Sequence, residues 1–584
     1  MRFLRFKLQF QSNQGGLKME EKQFMTVDGL SVEIAGEKNV LEVIRKLGIK
    51  MPTFCYHSEL SIYGACRMCV VENERGGIEA ACSTPPRAGM AIKTNTERLR
   101  KYRKMILELL LANHCRDCTT CANNGKCKLQ SFAIRYNIEG VRFPNTAAEP
   151  EIDDSSVSIV RDHHKCILCG DCVRMCNEIQ NVGAIDFAFR GSKMVIATAF
   201  NGKLADSPCV NCGQCSAACP TGAIVVKSYV DKVFAALDDK DSYVTVQIAP
   251  AVRVGIGKEL SVKPGENVMG KVVTALKMMG FDAVYDTSTA ADVTIVEEAA
   301  ELVERLGSEQ KMPLFTSCCP AWIRFAETKY PEILPYISTS KSPMEMFAAI
   351  LRTGDEKIHK KHVHVAIMPC TAKKYEANRE EFRHGGPDVD YVLTTQELVQ
   401  MIKESGIMLA EIDATAVDRP FGTASGAGVI FGVTGGVTEA ALRYVAGAKD
   451  HNSVRALAYS GVRGMNGVKE AKLAVGEREV KIAVVSGLKN ASDLIDKLEG
   501  GEAKYDFVEV MACPGGCIAG AGQPFAVGDV KKARGEGLYE TDRQTGIRVS
   551  DENPVVTELY NTVLKDRAHE LLHVSYVKNG QNNH

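Results

Sequence analysis

Apolar and polar residues alternate at two scales along this chain. Near the start, QFMTVDGLSVEIAG reads as strand, turn and strand, followed by the helical period of VLEVIRKLG. A longer helical pattern, TERLRKYRKMILELLLAN, comes next. From about Ser242 the pattern becomes a long α/β alternation: VTVQIAP, a helix near Val268 to Met279, FDAVYD, the helical ADVTIVEEAAELVERL, then KMPLFTSCCPAW. Further strands are predicted at HVHVAIMPC, KIAVVSGL and FVEVMACP. β-branched apolar runs between amphipathic helices imply sheets covered by helices, so the large C-terminal part is predicted to be an α/β domain, with small α+β modules before it.

At 584 residues the chain has room for several domains. Lys+Arg of 71 against Asp+Glu of 72 leaves a net charge of -1, which argues against a nucleic-acid binder or a protein of anionic membranes. No apolar run of about 18 residues and no secretory h-region is present, so a cytoplasmic protein is expected. Met1 to Lys18 alternates Phe and Leu with basic residues, as an amphipathic anchor would, but Met19 opens an ordinary domain start. Residues 1–18 are therefore read as a non-native or alternative upstream extension.

The 21 cysteines change the picture most, because they fall into short-spaced groups. A disulfide framework suits small secreted domains rather than a large chain without an export signal. Cys55, Cys66, Cys69 and Cys82 follow the strand-turn-strand-helix opening, and four thiolates there suit a 2Fe-2S cluster, with zinc as the alternative. Gly64-Ala65 and Arg67-Met68 let backbone N–H groups approach these sulfurs. In the next group His114 is followed by Cys118, Cys121 and Cys127, with Cys115 a spare thiol beside the histidine. Either His114 or Cys115 could be the fourth ligand, and spacing alone leaves zinc and 4Fe-4S open. The run Cys166, Cys169, Cys172, Cys176 repeats 43 residues later as Cys209, Cys212, Cys215, Cys219-Pro220. This is the bacterial two-cluster ferredoxin spacing, in which the fourth cysteine of each run serves the other cluster. Cys166, Cys169, Cys172 and Cys219 are thus expected to share one 4Fe-4S cluster, and Cys209, Cys212, Cys215 and Cys176 a second. The last five, Cys318, Cys319, Cys370, Cys513 and Cys517, each lie just beyond a predicted strand, where α/β proteins commonly place their sites.

FTSCCPAW (Phe315 to Trp322), MPCTAKKYEA (Met368 to Ala377) and EVMACPGGCIAGAGQP (Glu509 to Pro524) resemble the signatures of iron-only hydrogenases. The resemblance runs through the accessory modules to the RAHELLHVSY tail, with a layout like the clostridial enzymes and the catalytic subunits of NAD(P)-linked hydrogenase complexes. It implies five parts: an extension at 1–18, a 2Fe-2S ferredoxin-like domain at 19–98, a 4Fe-4S domain with one His and three Cys ligands at 99–157, a two-cluster ferredoxin-like domain at 158–241, and a catalytic domain at 242–584 with two sheet-and-helix lobes around its metal cluster. It makes His114 the iron ligand. It implies a 4Fe-4S cube on Cys319, Cys370, Cys513 and Cys517, bridged through Cys517 to a two-iron subsite carrying CO, cyanide and a dithiolate. Lys373 and Ala249-Pro250 would face the cyanides, with Met368 and Met511 as soft packing around the irons. Cys318, Glu298, Ser338 and Glu301 would carry protons, with Arg305 near the outlet. Glu298 and Glu301 lie three apart and share a helix face; without the motifs, a solvated acidic face would be the ordinary reading.

The implied activity is reversible reduction of protons to H2, with ferredoxin or another carrier supplying electrons through the accessory clusters and maturation proteins assembling the subsite. Alternatives are the catalytic subunit of an NAD(P)-reducing or electron-bifurcating complex, or a non-catalytic H2 sensor or assembly scaffold. No strand-GxGxxG-helix fingerprint occurs, so a flavin or nicotinamide site would lie in a partner. Ala251, Ala321, Met344 and Ala521 depart from the family's usual Ser, Gly, Gln and Gly; each adds bulk or removes a hydrogen bond near the site and leaves every ligand in place.

Overall fold

The computed structural model describes residues 22–146, 151–308, 311–383, 385–445, 447, 461–475 and 478–577. The extension at 1–18 lies outside them. Two compact units emerge.

The first comprises residues 22–56, Ile62–Leu110 and Phe132–Phe143. Strands β1 (Gln23–Val27) and β2 (Leu30–Ile34) form the predicted hairpin, with Val27 opposite Leu30. They join β3 (Val70–Asn73), β4 (Ile78–Ala80) and β5 (Ala91–Lys93) in a sheet of order β2-β1-β5-β3-β4. The helix Val40–Lys46 starts at Asn39, whose side chain accepts from the Glu42 N–H, and buries Val40, Leu41, Val43 and Ile44 against this sheet. The buried guanidinium of Arg103 donates to the carbonyls of Met68, Val70 and Thr94, fixing the backbone beside Cys69.

In the second unit, β6 (Ile159–Arg161) pairs antiparallel with β9 (Ile224–Val226), and β7 (Asp186–Ala188) with β8 (Val195–Ala197), around the two symmetric cysteine runs. Beyond them lie two four-stranded sheets. One is wholly parallel, in the order β11 (Ala283–Asp286), β10 (Ser242–Ile248), β13 (Lys361–Met368), β14 (Tyr391–Thr394). The other has the order β12 (Leu314–Phe315), β17 (Phe507–Met511), β16 (Arg478–Ser486), β15 (Val468–Val475), with β15 alone antiparallel.

Alternation along the second sheet shows both faces covered. Val480, Ile482 and Val484 pack into one core with Phe507, while Ala483, Val485, Val508 and Val510 pack into another with Trp322 and Phe325. The exception is Glu509, fully buried, which accepts from Gly435 N, Thr438 N and Thr438 Oγ1 and so caps the helix Gly436–Val445. Among the described residues no helix is long and apolar enough to cross a membrane.

Candidate active site and its sulfur chain

The chain leaves the C-terminal ends of four parallel strands toward one cavity: Ala249-Pro250 after β10, Cys318-Cys319 after β12, Met368 to Cys370 at the end of β13, and Met511 to Cys517 at the end of β17. About 730 Å³ of space free of protein atoms, open solvent included, lies among its lining residues. Lys373, Met344 and Thr287 also line it. The four thiols of Cys319, Cys370, Cys513 and Cys517 face this space, and none of the 21 cysteines is in a disulfide. Hydrogen-bond donors already aim at them. Ala512 N donates to Cys319 Sγ at 3.5 Å, and Gln214 Nε2 to Cys513 Sγ at 3.1 Å. Cys319 is the N-cap of the helix Pro320–Lys329, and its carbonyl accepts from Trp322 N and Ile323 N. Soft sulfurs, converging N–H groups and a desolvated space are what an iron-sulfur cube with an attached iron group requires.

Further sulfur sites lie outside this cavity. One space is lined by Cys166, Cys169, Cys172 and Cys219, another by Cys176, Cys209, Cys212 and Cys215. The exchange of the fourth cysteine expected from the spacing is thus the grouping that the fold makes. Leu168 N, Asn211 N and Ala184 N donate to Cys166, Cys209 and Cys176 Sγ, each at 3.4 Å. Near Cys118, Cys121 and Cys127, His114 accepts from Arg116 N through Nδ1, and its Nε2 is buried with no partner. Such an orphaned nitrogen fits a metal ligand. The backbone N–H of Cys115 donates to His164 O, and its sulfur lies 3.9 Å from His114 Nδ1. In the first unit, Cys66 N and Cys82 N donate to Cys55 and Cys69 Sγ. Gly64 and Arg67 both have positive φ, giving the loop its tight turns around Cys66.

The sulfur runs approach closely. At Gly213 a Cβ would lie 2.4 Å from Thr371 Oγ1 and 3.0 Å from Ala521 Cβ, so only glycine fits between Cys212 and the backbone around Cys370. Gln214, next in sequence, bridges to Cys513 and Ala519 O. Sequence reasoning missed Gln214, because nothing local distinguishes it from any polar residue in a cysteine run.

On the other side of the cavity lies the acidic helix Ser288–Ser308. The ordinary reading of a solvated face is wrong: Glu298 is fully buried and Arg305 is 8 % exposed. Glu298 Oε1 accepts from Ser317 N at 3.2 Å, while Oε2 has no partner. Burial pushes its carboxyl up to about 8, and the Glu301 and Glu509 carboxylates add to this. Burial and Glu298 also push the Cys318 thiol well up, so both groups hold their protons at neutral pH. Farther along the helix, Glu301 accepts from Ser338 Oγ at 2.6 Å and Thr339 N at 3.2 Å and pairs with Arg305 at 2.5 Å. Every residue of the expected proton route is therefore within this one region. Lys373, expected to face a cyanide, donates to Glu376 Oε2 at 2.5 Å and to Cys318 O at 3.4 Å. Burial alone would pull its ammonium down, but Glu376 outweighs this and the net shift is upward, so Lys373 stays charged. Ala251, one of the departures, packs against Gly432, and its carbonyl accepts from Gln523 Nε2.

Known families match this layout segment by segment. Residues 242–521 match the family described as iron only hydrogenase large subunit, C-terminal domain, and 528–579 match iron hydrogenase small subunit. Ahead of them, 24–97 match a 2Fe-2S iron-sulfur cluster binding domain, 103–142 the iron-sulfur binding region of NADH-ubiquinone oxidoreductase G, and 165–223 a 4Fe-4S dicluster domain. The chain is 44% identical over 577 residues to the HndD subunit of an NADP-reducing hydrogenase from Solidesulfovibrio fructosivorans, covering 95% of this chain and 98% of that one. The chain belongs to the iron-only hydrogenase family. This hydrogenase is also 36% identical to iron hydrogenase 1 of Clostridium pasteurianum, over 94% of its own length and 99% of the relative's. Among solved structures, a variant of the FeFe-type hydrogenase HydA1 from Chlamydomonas reinhardtii, in its apo form, superposes with a TM-score of 0.54 at 40% identity. It covers 61% of this chain and all of that one. The protein is accordingly an iron-hydrogenase oxidoreductase in which 2Fe-2S and 4Fe-4S domains precede a hydrogenase fold of mixed α/β sheets.

Proposed function

We propose that this chain interconverts 2H+ + 2e- and H2, and that Cys319, Cys370, Cys513 and Cys517 would hold a 4Fe-4S cube, with Cys517 the residue that would join it to a two-iron subsite bearing CO, cyanide and dithiolate ligands. When bound, that group supplies the redox chemistry. The chain's own residues hold it, keep water out and move protons. The supporting observation is the convergence of four thiols, the charged Lys373 and the protonated Cys318 at the C-terminal ends of both sheets. Met368, Met511, Ala249 and Pro250 wall the space with apolar atoms. Protons reach it from Arg305 and Glu301 through Ser338 and Glu298 to Cys318. A sensor or scaffold would have no use for that route.

When loaded with clusters, the accessory parts at 19–98, 99–157 and 158–241 would supply electrons to the catalytic part at 242–584. We assign the 2Fe-2S cluster to Cys55, Cys66, Cys69 and Cys82, and 4Fe-4S clusters to His114 with Cys118, Cys121 and Cys127 and to the two interleaved sets. Protein reconstituted without the two-iron subsite is expected to hold about 18 Fe by ligand count. Metal analysis showing stoichiometric zinc with correspondingly less iron would remove His114 and its three cysteines from the assignment.

Ferredoxin is the simplest electron donor. The 44% identity to a subunit of an NADP-reducing hydrogenase favours a second arrangement, in which this chain is the hydrogen-turning subunit of an NAD(P)-linked complex with a flavin-containing partner. Matured protein given a chemically reduced dye should release H2. Fully loaded protein that releases none would leave the sensor reading in its place.

A further inference from the structure

Strand β13 carries an anomaly, because a strand buried in a parallel sheet ordinarily reads as a continuous apolar run. Here His362 and His364 share one face, and β10, its neighbour in register, places Thr245 and Gln247 on that same side. Gln247 and His364 are fully buried and Thr245 nearly so. Buried polar groups of this kind are costly unless every one is satisfied, so their bonds can be followed one by one.

Gln247 Nε2 lies 3.0 Å from Met344 O and 2.9 Å from His364 Nε2. A carbonyl can only accept, so the amide nitrogen must be the atom at that position, and its two hydrogens go to Met344 and His364. His364 Nε2 is therefore the unprotonated nitrogen and Nδ1 carries the hydrogen, which Thr245 Oγ1 accepts at 2.8 Å. The Thr245 hydroxyl hydrogen is then free for His362 Nε2 at 2.8 Å, and His362 Nδ1–H donates to Asp355 Oδ1 at 2.5 Å. At the inner end, Gln247 Oε1 can only accept, so the hydroxyl of Thr287 donates to it at 3.0 Å. Thr287 lines the active-site cavity. The result is one chain of donors, all pointing outward, from the cavity to the partly exposed carboxylate of Asp355.

We infer that Thr287 is an acceptor contact of the iron group bound in the cavity, and that Gln247, His364, Thr245, His362 and Asp355 position it by holding its hydroxyl hydrogen away from that group. The inference rests on the function proposed above. With its hydrogen committed to Gln247, Thr287 offers the cavity lone pairs alone. It would accept from an N–H, S–H or O–H on a group held there and would disfavour an anionic atom at the same place. The chain orients rather than conducts. Passing a proton through it would need the unfavourable imidic form of the Gln247 amide, and an imidazolium at His364 would set its N–H against the amide N–H. Burial, together with His362 and Arg352, pushes the His364 imidazolium form well down, in agreement with this. Arg352, which pairs with Asp355 and donates to His362 O, holds the outer end.

The first test uses the full chain with its iron-sulfur clusters oxidised and the two-iron subsite not yet installed. Nitrogen-15 spectra of its histidines should show His364 protonated at Nδ1 only; protonation at Nε2, alone or in addition, would overturn the chain. With the subsite installed, Thr245→Val should shift the CO and cyanide stretching bands in the same sense as Thr287→Val, while Thr245→Ser keeps the parental bands. Turnover should fall about 2- to 10-fold in both valine variants, as for loss of one neutral hydrogen bond. Parental bands in Thr245→Val would overturn the positioning role. If Thr245→Val does not fold, the histidine spectra and Thr287→Val decide. Absence of CO and cyanide bands from the parent would instead count against the function proposed above.

Discussion

Cys318→Ala should retain every iron-sulfur cluster and lose hydrogen turnover by about 10²- to 10⁴-fold, the usual contribution of a general acid-base group. Two adjacent cysteines make the comparison clean. Cys319 receives the Ala512 N–H on its sulfur, and we assign it to the cube. Its neighbour Cys318 is buried, and that burial, with the Glu298 carboxyl second, pushes its thiol well up so that it holds its proton. A methyl group can neither donate nor accept a proton, and a relay across the gap would need a water with polar partners in a cavity that is mostly apolar. Cys318→Asp should recover part of the activity, since a carboxylate relays protons although its size and acidity differ. Cys319→Ala should instead lose iron along with activity. Iron content and cluster spectra measured beside H2 release separate the two cases. Parental turnover in Cys318→Ala would return that residue to a packing role.

Much of this arrangement is legible in the sequence, for physical reasons that differ by element. The paired runs at Cys166 and Cys209 are local, and two- and three-residue gaps within a run fix which sulfurs can share a cluster. The exchange of Cys176 and Cys219 is that of the bacterial two-cluster ferredoxin spacing, and the two cavities group the sulfurs that way. The strands ending in Met368 and Met511 are readable because Val or Ile recurs at every second position, as in a strand packed in a sheet. By contrast, burial of Glu298 cannot be read from its helix, where Glu297 and Glu301 present the same residue type. Glu297 is taken up by Tyr560 and His573 from the C-terminal tail, and only packing reveals which carboxylate turns inward. Glu345 shows the same limit. It is fully buried beside Glu376 with neither oxygen bonded, and burial with Glu376 pushes its carboxyl well up, yet its sequence context, SPMEMF, reads as a plain amphipathic helix. The histidines of HVHVAIMPC give no local sign of their bonds, because their partners Thr245 and Gln247 lie more than a hundred residues away.

Glu298→Gln should match Cys318→Ala in lost turnover and, unlike it, change how stability depends on pH. The amide keeps an oxygen to accept from Ser317 N and nearly the same shape, so the helix and the loop before Cys318 should stay in place. What it loses is the titrating proton, which a relay between Glu301 and Cys318 must have. The pH effect follows from burial. The unfolded chain gives up this proton near the ordinary carboxyl value of 4.5, whereas the folded chain holds it to about 8. Between those values the folded state binds more protons than the unfolded one, so this group's contribution falls as pH rises through that window and levels off above it. Below it, the carboxyl is neutral in both states and the contribution is intact. The substituted amide does not titrate, so the melting temperature of Glu298→Gln minus that of the parent should climb between pH 4.5 and about 8 and then stay constant. Measuring both proteins across that range, with the clusters loaded and the two-iron subsite not installed, keeps catalysis out of the comparison. A flat difference would mean that Glu298 is ionised in the folded protein, and a carboxylate already without its proton could not hand one to Cys318.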